Sequence, residues 1–179
     1  ETIDVIVSPN PTINASNVSV CENGTVSISA TGASTYLWSP SVYLNGNSGP
    51  NVIFSNGATT TYTITGTSAA GCVSTKDVTV TVNPFPTVFG GNDTTICAGN
   101  QLIFLGSGAN TYSWTGGIFN GIIFTPSVGT TTYTVTGTSS SGCVNTDQVV
   151  VTVNPIPTVS AGNDTTICET NTLTLSGTG

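Results

Sequence analysis

Five cysteines are the residues of this chain best suited to covalent chemistry. They stand at Cys21, Cys72, Cys97, Cys143 and Cys168, at successive intervals of 51, 25, 46 and 25 residues. A structural metal site would need closely spaced cysteines together with histidine, and the sequence contains neither C-x-x-C nor any His. Disulfide formation is the remaining chemistry, and disulfides persist in oxidising compartments. The cysteines therefore predict an extracellular or periplasmic protein.

The cysteines belong to a sequence repeat. NPFPTVFGGNDTTIC at 83–97 returns as NPIPTVSAGNDTTIC at 154–168, and TTTYTITGTSAAGCV at 59–73 returns as TTTYTVTGTSSSGCV at 130–144, both 71 positions later. A period of this size indicates tandem copies of a small domain. We predict two complete domains, 9–83 and 84–154. Residues 155–179 would form the first strands of an incomplete third repeat, and 1–8 the last strand of a preceding repeat or a strand exchanged with a neighbouring subunit.

The spacing of the cysteines suggests how they pair. The long intervals fall inside the copies, whereas the 25-residue intervals cross the linkers between them. We therefore predict disulfides Cys21–Cys72 and Cys97–Cys143, with Cys168 unpaired within the chain. A disulfide that closes a loop of this length would stabilise a small domain by roughly 4 kcal/mol.

Short β-strands must position these residues. Tyr133 and Val135 alternate with threonines, and Val149, Val151 and Val153 share one face of a later segment. Alternation with β-branched residues, interrupted by Gly- and Asn-rich turns, is typical of strands. The sequence predicts an all-β fold of tandem Ig-like β-sandwich domains joined by short Pro-x-Pro linkers.

The two copies differ in one connection. Trp38 precedes Tyr62 by 24 positions, whereas Trp114 precedes Tyr133 by 19. We interpret 39–56 and 115–127 as loops or edge strands under looser packing constraint. The two tryptophans and two tyrosines are interpreted as core residues, with the tyrosines as candidates for a tyrosine corner. A sugar-stacking platform is the alternative for the tryptophans.

Composition excludes several classes of function. The chain has one Lys, no Arg and a net charge of −7, which disfavours nucleic acid, and no apolar run is long enough for membrane insertion. Its 35 Thr and 20 Ser give it a hydroxyl-rich surface. Without His it has no Ser-His or Cys-His machinery, and the carboxylates do not converge in the repeat frame. We predict no enzyme activity and no cofactor.

The N-D-T-T segments before two of the cysteines are the remaining polar motifs. Asp93 and Asp164 could each supply one carboxylate to Ca²⁺, but Asx turns explain them equally well, and no metal site is predicted. Five N-x-S/T sequons also occur, about the number expected by chance in a chain this rich in Asn, Ser and Thr.

The full repeat pattern resembles a known family. T-x-x-x-G-N-D-x-T-I-C, then Y-x-W, then T-T-T-Y-T-V-T-G-T-x-x-x-G-C, is similar to the tandem Ig-like, PKD-like repeats of large secreted surface proteins of Bacteroidota, including gliding-motility-associated adhesins. The resemblance implies export to the cell surface and roles as spacers, adhesins or filaments. It also implies O-glycans at Asp-Thr-Thr, which makes Thr94 and Thr165 candidate glycosylation sites.

These observations favour a structural function. The chain is predicted to be a repeat segment of an extracellular surface fibre or stalk, glycosylated and polymerised head to tail by strand exchange. Its partners would be other copies of itself or adjacent repeats, and glycans. The first alternative is an adhesin whose mid-domain loops bind carbohydrate or protein. The second is a spacer module of a secreted hydrolase.

Overall fold

A computed structural model describes residues 2–179, and within them the chain is built from strands. The first six are β1 (Val18–Cys21), β2 (Thr25–Ser29), β3 (Thr35–Ser39), β4 (Asn51–Ser55), β5 (Thr60–Thr67) and β6 (Val73–Asn83). The next six are β7 (Thr94–Cys97), β8 (Leu102–Ile103), β9 (Thr111–Trp114), β10 (Ile123–Phe124), β11 (Gly129–Thr138) and β12 (Val144–Asn154). A short 3-10 turn, Thr115–Gly117, follows β9. The predicted all-β fold is confirmed.

Contacts divide the described chain into two compact units. The first unit contains the residues up to Thr87 together with Thr138–Asn145, the turn between β11 and β12. The second contains Val88–Gly137 and Thr146–Gly179. The domain boundaries that the sequence repeat predicts, after residues 83 and 154, stay a prediction.

The first unit is a sandwich of a four-stranded and a two-stranded sheet. The larger sheet has the order β1-β6-β5-β3, and β2 pairs with β4 in the smaller. β1 runs parallel to β6, whereas β5 is antiparallel to both β6 and β3. Tyr62 lies opposite Val78 in the large sheet, Ile28 lies opposite Val52 in the small one, and all four are buried. This is an Ig-like arrangement of strands.

The second unit repeats that order. Its sheets are β7-β12-β11-β9 and β8-β10, and β7 is parallel to β12. The residues that period-two alternation assigned to the core are buried: Tyr133, Val135, Val149, Val151 and Val153. That part of the prediction is confirmed, because a side-chain period of two allows only one face of each strand to reach the core.

The segment 39–56 is packed more tightly than its variable length suggested. Its last part forms β4, which pairs along its whole length with β2. Val52 and Phe54 are almost fully buried. The expectation of loose packing was therefore wrong for β4, since alternate apolar residues in a strand paired with β2 form part of the core.

The two flanking segments have little regular structure. Glu1 lies outside the described residues, and within 2–8 the side chains of Ile3, Val5, Ile6 and Val7 are 83–89% exposed. Residues 155–179 form one isolated bridge, between Ser160 and Thr178, which repeats the Phe89–Ser107 bridge of the second unit. No helix in residues 2–179 has the length and hydrophobicity needed to cross a membrane.

Candidate functional site: the cysteines and the surfaces of the repeats

One disulfide is present within residues 2–179, and it joins two sequence repeats. Cys21, in the first copy, is bonded to Cys143, in the second, with the Cα atoms 5.6 Å apart. Both belong to the first compact unit, because the turn that carries Cys143 is part of that unit. Cys72, Cys97 and Cys168 are thiols. The predicted pairs Cys21–Cys72 and Cys97–Cys143 were therefore wrong.

The direction of β1 explains the error. Cys21 ends β1 and lies opposite Asn83, the last residue of β6, whereas Cys72 directly precedes the first residue of that strand. Eleven residues of extended chain span roughly 35 Å, and a disulfide needs Cα atoms within about 7 Å. The two cysteines of one repeat therefore lie at opposite ends of the same strand and cannot meet.

The last residue of β6 is where Cys21 and Cys143 meet. The Asn83 carbonyl oxygen accepts a hydrogen bond from the Glu22 amide at 2.9 Å and lies 3.7 Å from the Sγ atom of Cys143. The turn before Cys143 is held by its Ser139 side chain, whose Oγ accepts from the Cys143 amide at 3.1 Å. Gly142 supplies the positive φ of 82° that this turn requires. The sulfur atom of Cys143 is thus placed by local backbone geometry.

The two tryptophans have different environments. Trp38 is 1% exposed, and its indole Nε1 donates to the Gly49 carbonyl at 2.9 Å while its amide donates to Asn47 at 2.8 Å. Both acceptors lie in the long 39–56 connection, which covers the ring. The core interpretation is confirmed for Trp38.

Trp114 is only half-buried, because the shorter connection of the second copy leaves one side of the ring open. Its other side stacks on Phe104, with ring centroids 4.9 Å apart, and its Nε1 donates to Asn120 Oδ1 at 3.2 Å. The open side borders a hollow of about 340 Å³, also lined by Tyr112, Ile118 and Phe119. An aromatic ring beside polar side chains is suited to an apolar or sugar-like ligand.

Tyr62 and Tyr133 pack as core residues, and the tyrosine corner stays a prediction. Tyr62 is fully buried and its hydroxyl donates to the Val42 carbonyl at 2.7 Å. Burial raises the pKa of Tyr62 above its ordinary value. A more local tyrosine-to-backbone bond is made by Tyr36 and Tyr112, which donate to the carbonyls of Ala33 and Ala109 three residues earlier. Sequence reasoning missed both, although they begin the Y-x-W motifs.

The Asp-Thr-Thr segments lie on the surface of the second unit. Asp93 Oδ1 accepts from the Val150 amide at 2.8 Å, so this carboxylate already has a structural partner. Thr94 is half-buried at the start of β7, and Thr165 is exposed. Among residues 2–179, no three carboxylate, cysteine or histidine side chains cluster closely enough to hold a metal ion.

Comparison with known proteins gives similarity of structure alone. No family model and no curated protein matches the sequence. A three-Ig fragment of titin, I67–I69 carrying E-to-A mutations, is 12% identical with a TM-score of 0.48, over 83% of this chain and 67% of that one. The fibronectin(III)-like modules of Clostridium thermocellum CbhA are 13% identical with a TM-score of 0.39, over 80% and 95%. Sidekick-1 immunoglobulin domains 1–4 are 12% identical with a TM-score of 0.43, over 80% and 48%.

Proposed function

We propose that this chain is a structural repeat segment of an extracellular surface fibre or stalk. The observation that carries the proposal is the Cys21–Cys143 disulfide, which ties one sequence repeat to the next. A bond of this kind reinforces an array of small domains covalently. It also requires an oxidising compartment, which supports a location outside the cytoplasm.

The exposed N-terminal apolar residues support assembly by strand exchange. Ile3, Val5 and Val7 alternate in the sequence, and their side chains, like that of Ile6, are exposed to solvent. Apolar alternation of this kind is normally covered by pairing with a sheet edge. We propose that residues 1–8 add to the sheet of an adjacent repeat, either in the same molecule or in a second copy.

Glycosylation is the second part of the proposal. The hydroxyl-rich composition, the exposure of Thr165 and the position of Thr94 at the start of a surface strand all support it. The resemblance to surface proteins of Bacteroidota supplies the expected motif, Asp-Thr-Thr.

Electron microscopy of the native material, combined with its intact mass, tests the proposal. We expect ordered fibres or rods and a mass above that of the polypeptide by whole hexose units. Isolated particles with the unmodified mass would contradict both the fibre and the glycan.

The hollow beside Trp114 supports a second candidate function, carbohydrate binding. Its test is a glycan array probed with the wild-type chain and with Trp114→Ala. Binding that disappears in this variant supports an adhesin. Phe89→Ala is the matched control, because Phe89 is a 50% exposed aromatic residue of the same unit outside the hollow. Equal signals from wild type and Trp114→Ala would contradict a sugar site at this position.

A further inference from the structure

Each of the three free thiols stands at a repeat position equivalent to that of one of the two bonded cysteines. We call Cys21, Cys97 and Cys168 the first cysteines of their repeats, and Cys72 and Cys143 the second cysteines. The observed bond joins a first cysteine to the second cysteine of the repeat that follows. The local structure around Cys97 and Cys72 matches that around the two bonded cysteines.

The surroundings of Cys97 repeat those of Cys21. Cys21 ends β1 opposite Asn83, and Cys97 ends β7 opposite Asn154, with parallel pairing in both cases. The Ala98 amide donates to the Asn154 carbonyl at 2.8 Å, as the Glu22 amide does to Asn83 at 2.9 Å. Cys97 is exposed, so its Sγ atom is open to a partner at the place where Cys21 has one.

The surroundings of Cys72 repeat those of Cys143. The Cys72 amide donates to Ser68 Oγ at 3.2 Å, and Gly71 has a φ of 85°, matching the turn before Cys143. The Cys72 Sγ atom donates to the Ser8 carbonyl at 3.4 Å, and Ser8 precedes Pro9 as Asn83 precedes Pro84. Each second cysteine therefore lies beside the last residue before its own repeat, which is where a first cysteine of the preceding repeat would arrive.

We infer that Cys72 and Cys97 are sites of covalent attachment to further copies of this repeat. Cys97 takes the second cysteine of the repeat that follows it, and Cys72 takes the first cysteine of the repeat that precedes it. The inference rests on the proposed repeat array and specifies how that array is joined. In such an array every first cysteine is bonded to the next repeat, and no disulfide lies within one repeat.

The bond forms by thiol–disulfide exchange with a disulfide donor, such as an oxidoreductase or oxidised glutathione. One thiolate attacks the donor disulfide and releases a donor thiol. The thiolate of the partner cysteine then attacks the protein sulfur of this mixed disulfide and releases the other donor thiol. The two protein thiols are oxidised by two electrons, and the donor is reduced to two thiols.

The decisive experiment extends the full chain after Gly179 with a copy of residues 109–154. Gly179 corresponds to Gly108 in the 71-residue period, so this extension completes a third repeat in register. The chain is refolded with reduced and oxidised glutathione, and its disulfides are mapped by mass spectrometry of a non-reduced digest. We expect the added copy of Cys143 to be bonded to Cys97, and the free thiols to fall from three in the original chain to two.

Two variants serve as controls. Cys97→Ser in the extended chain leaves the added cysteine as a thiol. Cys21→Ser in the original chain leaves Cys143 as a thiol, because Cys97 and Cys143 are at opposite ends of β12. The second variant does not depend on whether an added repeat folds, and formation of Cys97–Cys143 in it would overturn the inference.

The remaining outcomes also decide. Bonding of the added cysteine to Cys168, or failure to bond while Cys21–Cys143 is intact, would overturn the inference. Neither result affects the proposed function if micrographs of the native material show fibres. Conversely, a bond between Cys97 and the added cysteine, in the absence of native fibres, would support the inferred linkage and contradict the proposed fibre.

Discussion

Asn17 and Asp93 hold equivalent backbone positions in the two copies through the same kind of hydrogen bond. The Asn17 Oδ1 atom accepts from the Thr79 amide at 2.9 Å, and Asp93 Oδ1 accepts from the Val150 amide at 2.8 Å. Each acceptor lies just before the short strand that runs parallel to the donor's strand. Because an amide and a carboxylate do this equally well, the structural requirement is an oxygen and not a charge.

This equivalence separates folding from glycosylation in one variant. We expect Asp93→Asn to unfold at the same urea concentration as wild type. In Asp93→Ala the free energy of unfolding should fall by about 0.5–1 kcal/mol, because the hydrogen bond to Val150 is lost. In a host that glycosylates Asp-Thr-Thr, Asp93→Asn should also lose the hexose at Thr94. Thr94→Val is the control that removes the hydroxyl acceptor directly. A glycan retained at Thr94 in Asp93→Asn would contradict the proposed motif.

The Cys21–Cys143 bond should contribute strongly to stability. It closes a sequence separation of 122 residues, for which loop-closure entropy corresponds to about 4–5 kcal/mol. We expect Cys21→Ser to lower the urea midpoint clearly. Cys97→Ser is the matched control, since it alters the same strand position in the next repeat without breaking a bond. Equal midpoints for the two variants would show that the bond contributes nothing.

Gly66 in β5 is a position where a side chain cannot be accommodated without movement. A Cβ atom there would lie 2.8 Å from Ile13 Cδ1 and 2.9 Å from Ala33 Cβ. We expect Gly66→Ala to destabilise the first unit by about 1–3 kcal/mol through overpacking, measured by thermal unfolding. Gly46→Ala is the control, because nothing lies within 4 Å of its added Cβ. A wild-type melting temperature for Gly66→Ala would contradict this packing.

The raised pKa of Tyr62 predicts a loss of stability in alkali. Burial keeps the folded tyrosine protonated above its ordinary pKa of about 10, whereas the unfolded chain releases the proton there. The unfolded state then binds fewer protons, so stability is fully present below pH 10 and falls as pH rises through the folded pKa.

We expect Tyr62→Phe to show a shallower decline of unfolding free energy between neutral and alkaline pH in urea titrations. An unchanged decline would exclude Tyr62 as its source. At neutral pH the free energy of unfolding of the same variant should be lower by about 1 kcal/mol, because the hydrogen bond to Val42 is lost.

The two tryptophans should differ in access to solvent. In the single-tryptophan variants Trp38→Phe and Trp114→Phe, neutral acrylamide should quench the remaining Trp114 several-fold more strongly than the remaining Trp38. The reason is that 39–56 covers Trp38, whereas Trp114 borders the open hollow. Similar quenching of both would indicate that the shorter connection also covers its tryptophan.

Alternation in the sequence was sufficient to predict the buried faces of several strands, although not that of β4. Leu102 and Phe104 point to the core while Ile103 and Leu105 are exposed, as alternation requires. A side-chain period of two is a local property, so it can be read without knowledge of the fold.

The disulfide could not be predicted in the same way, because it depends on the direction in which β1 pairs. A first strand parallel to the last strand carries Cys21 to the far end of its own domain and away from Cys72.

The Cys21–Cys143 bond also determines what happens when the backbone is cut. Lys76, the one basic side chain of the sequence, is exposed and lies inside the loop that this bond closes. Trypsin that cleaves after Lys76 therefore produces two fragments that remain attached, and they separate only when the sample is reduced. A chain built in this way withstands a single proteolytic nick, since loss of one peptide bond does not release either piece.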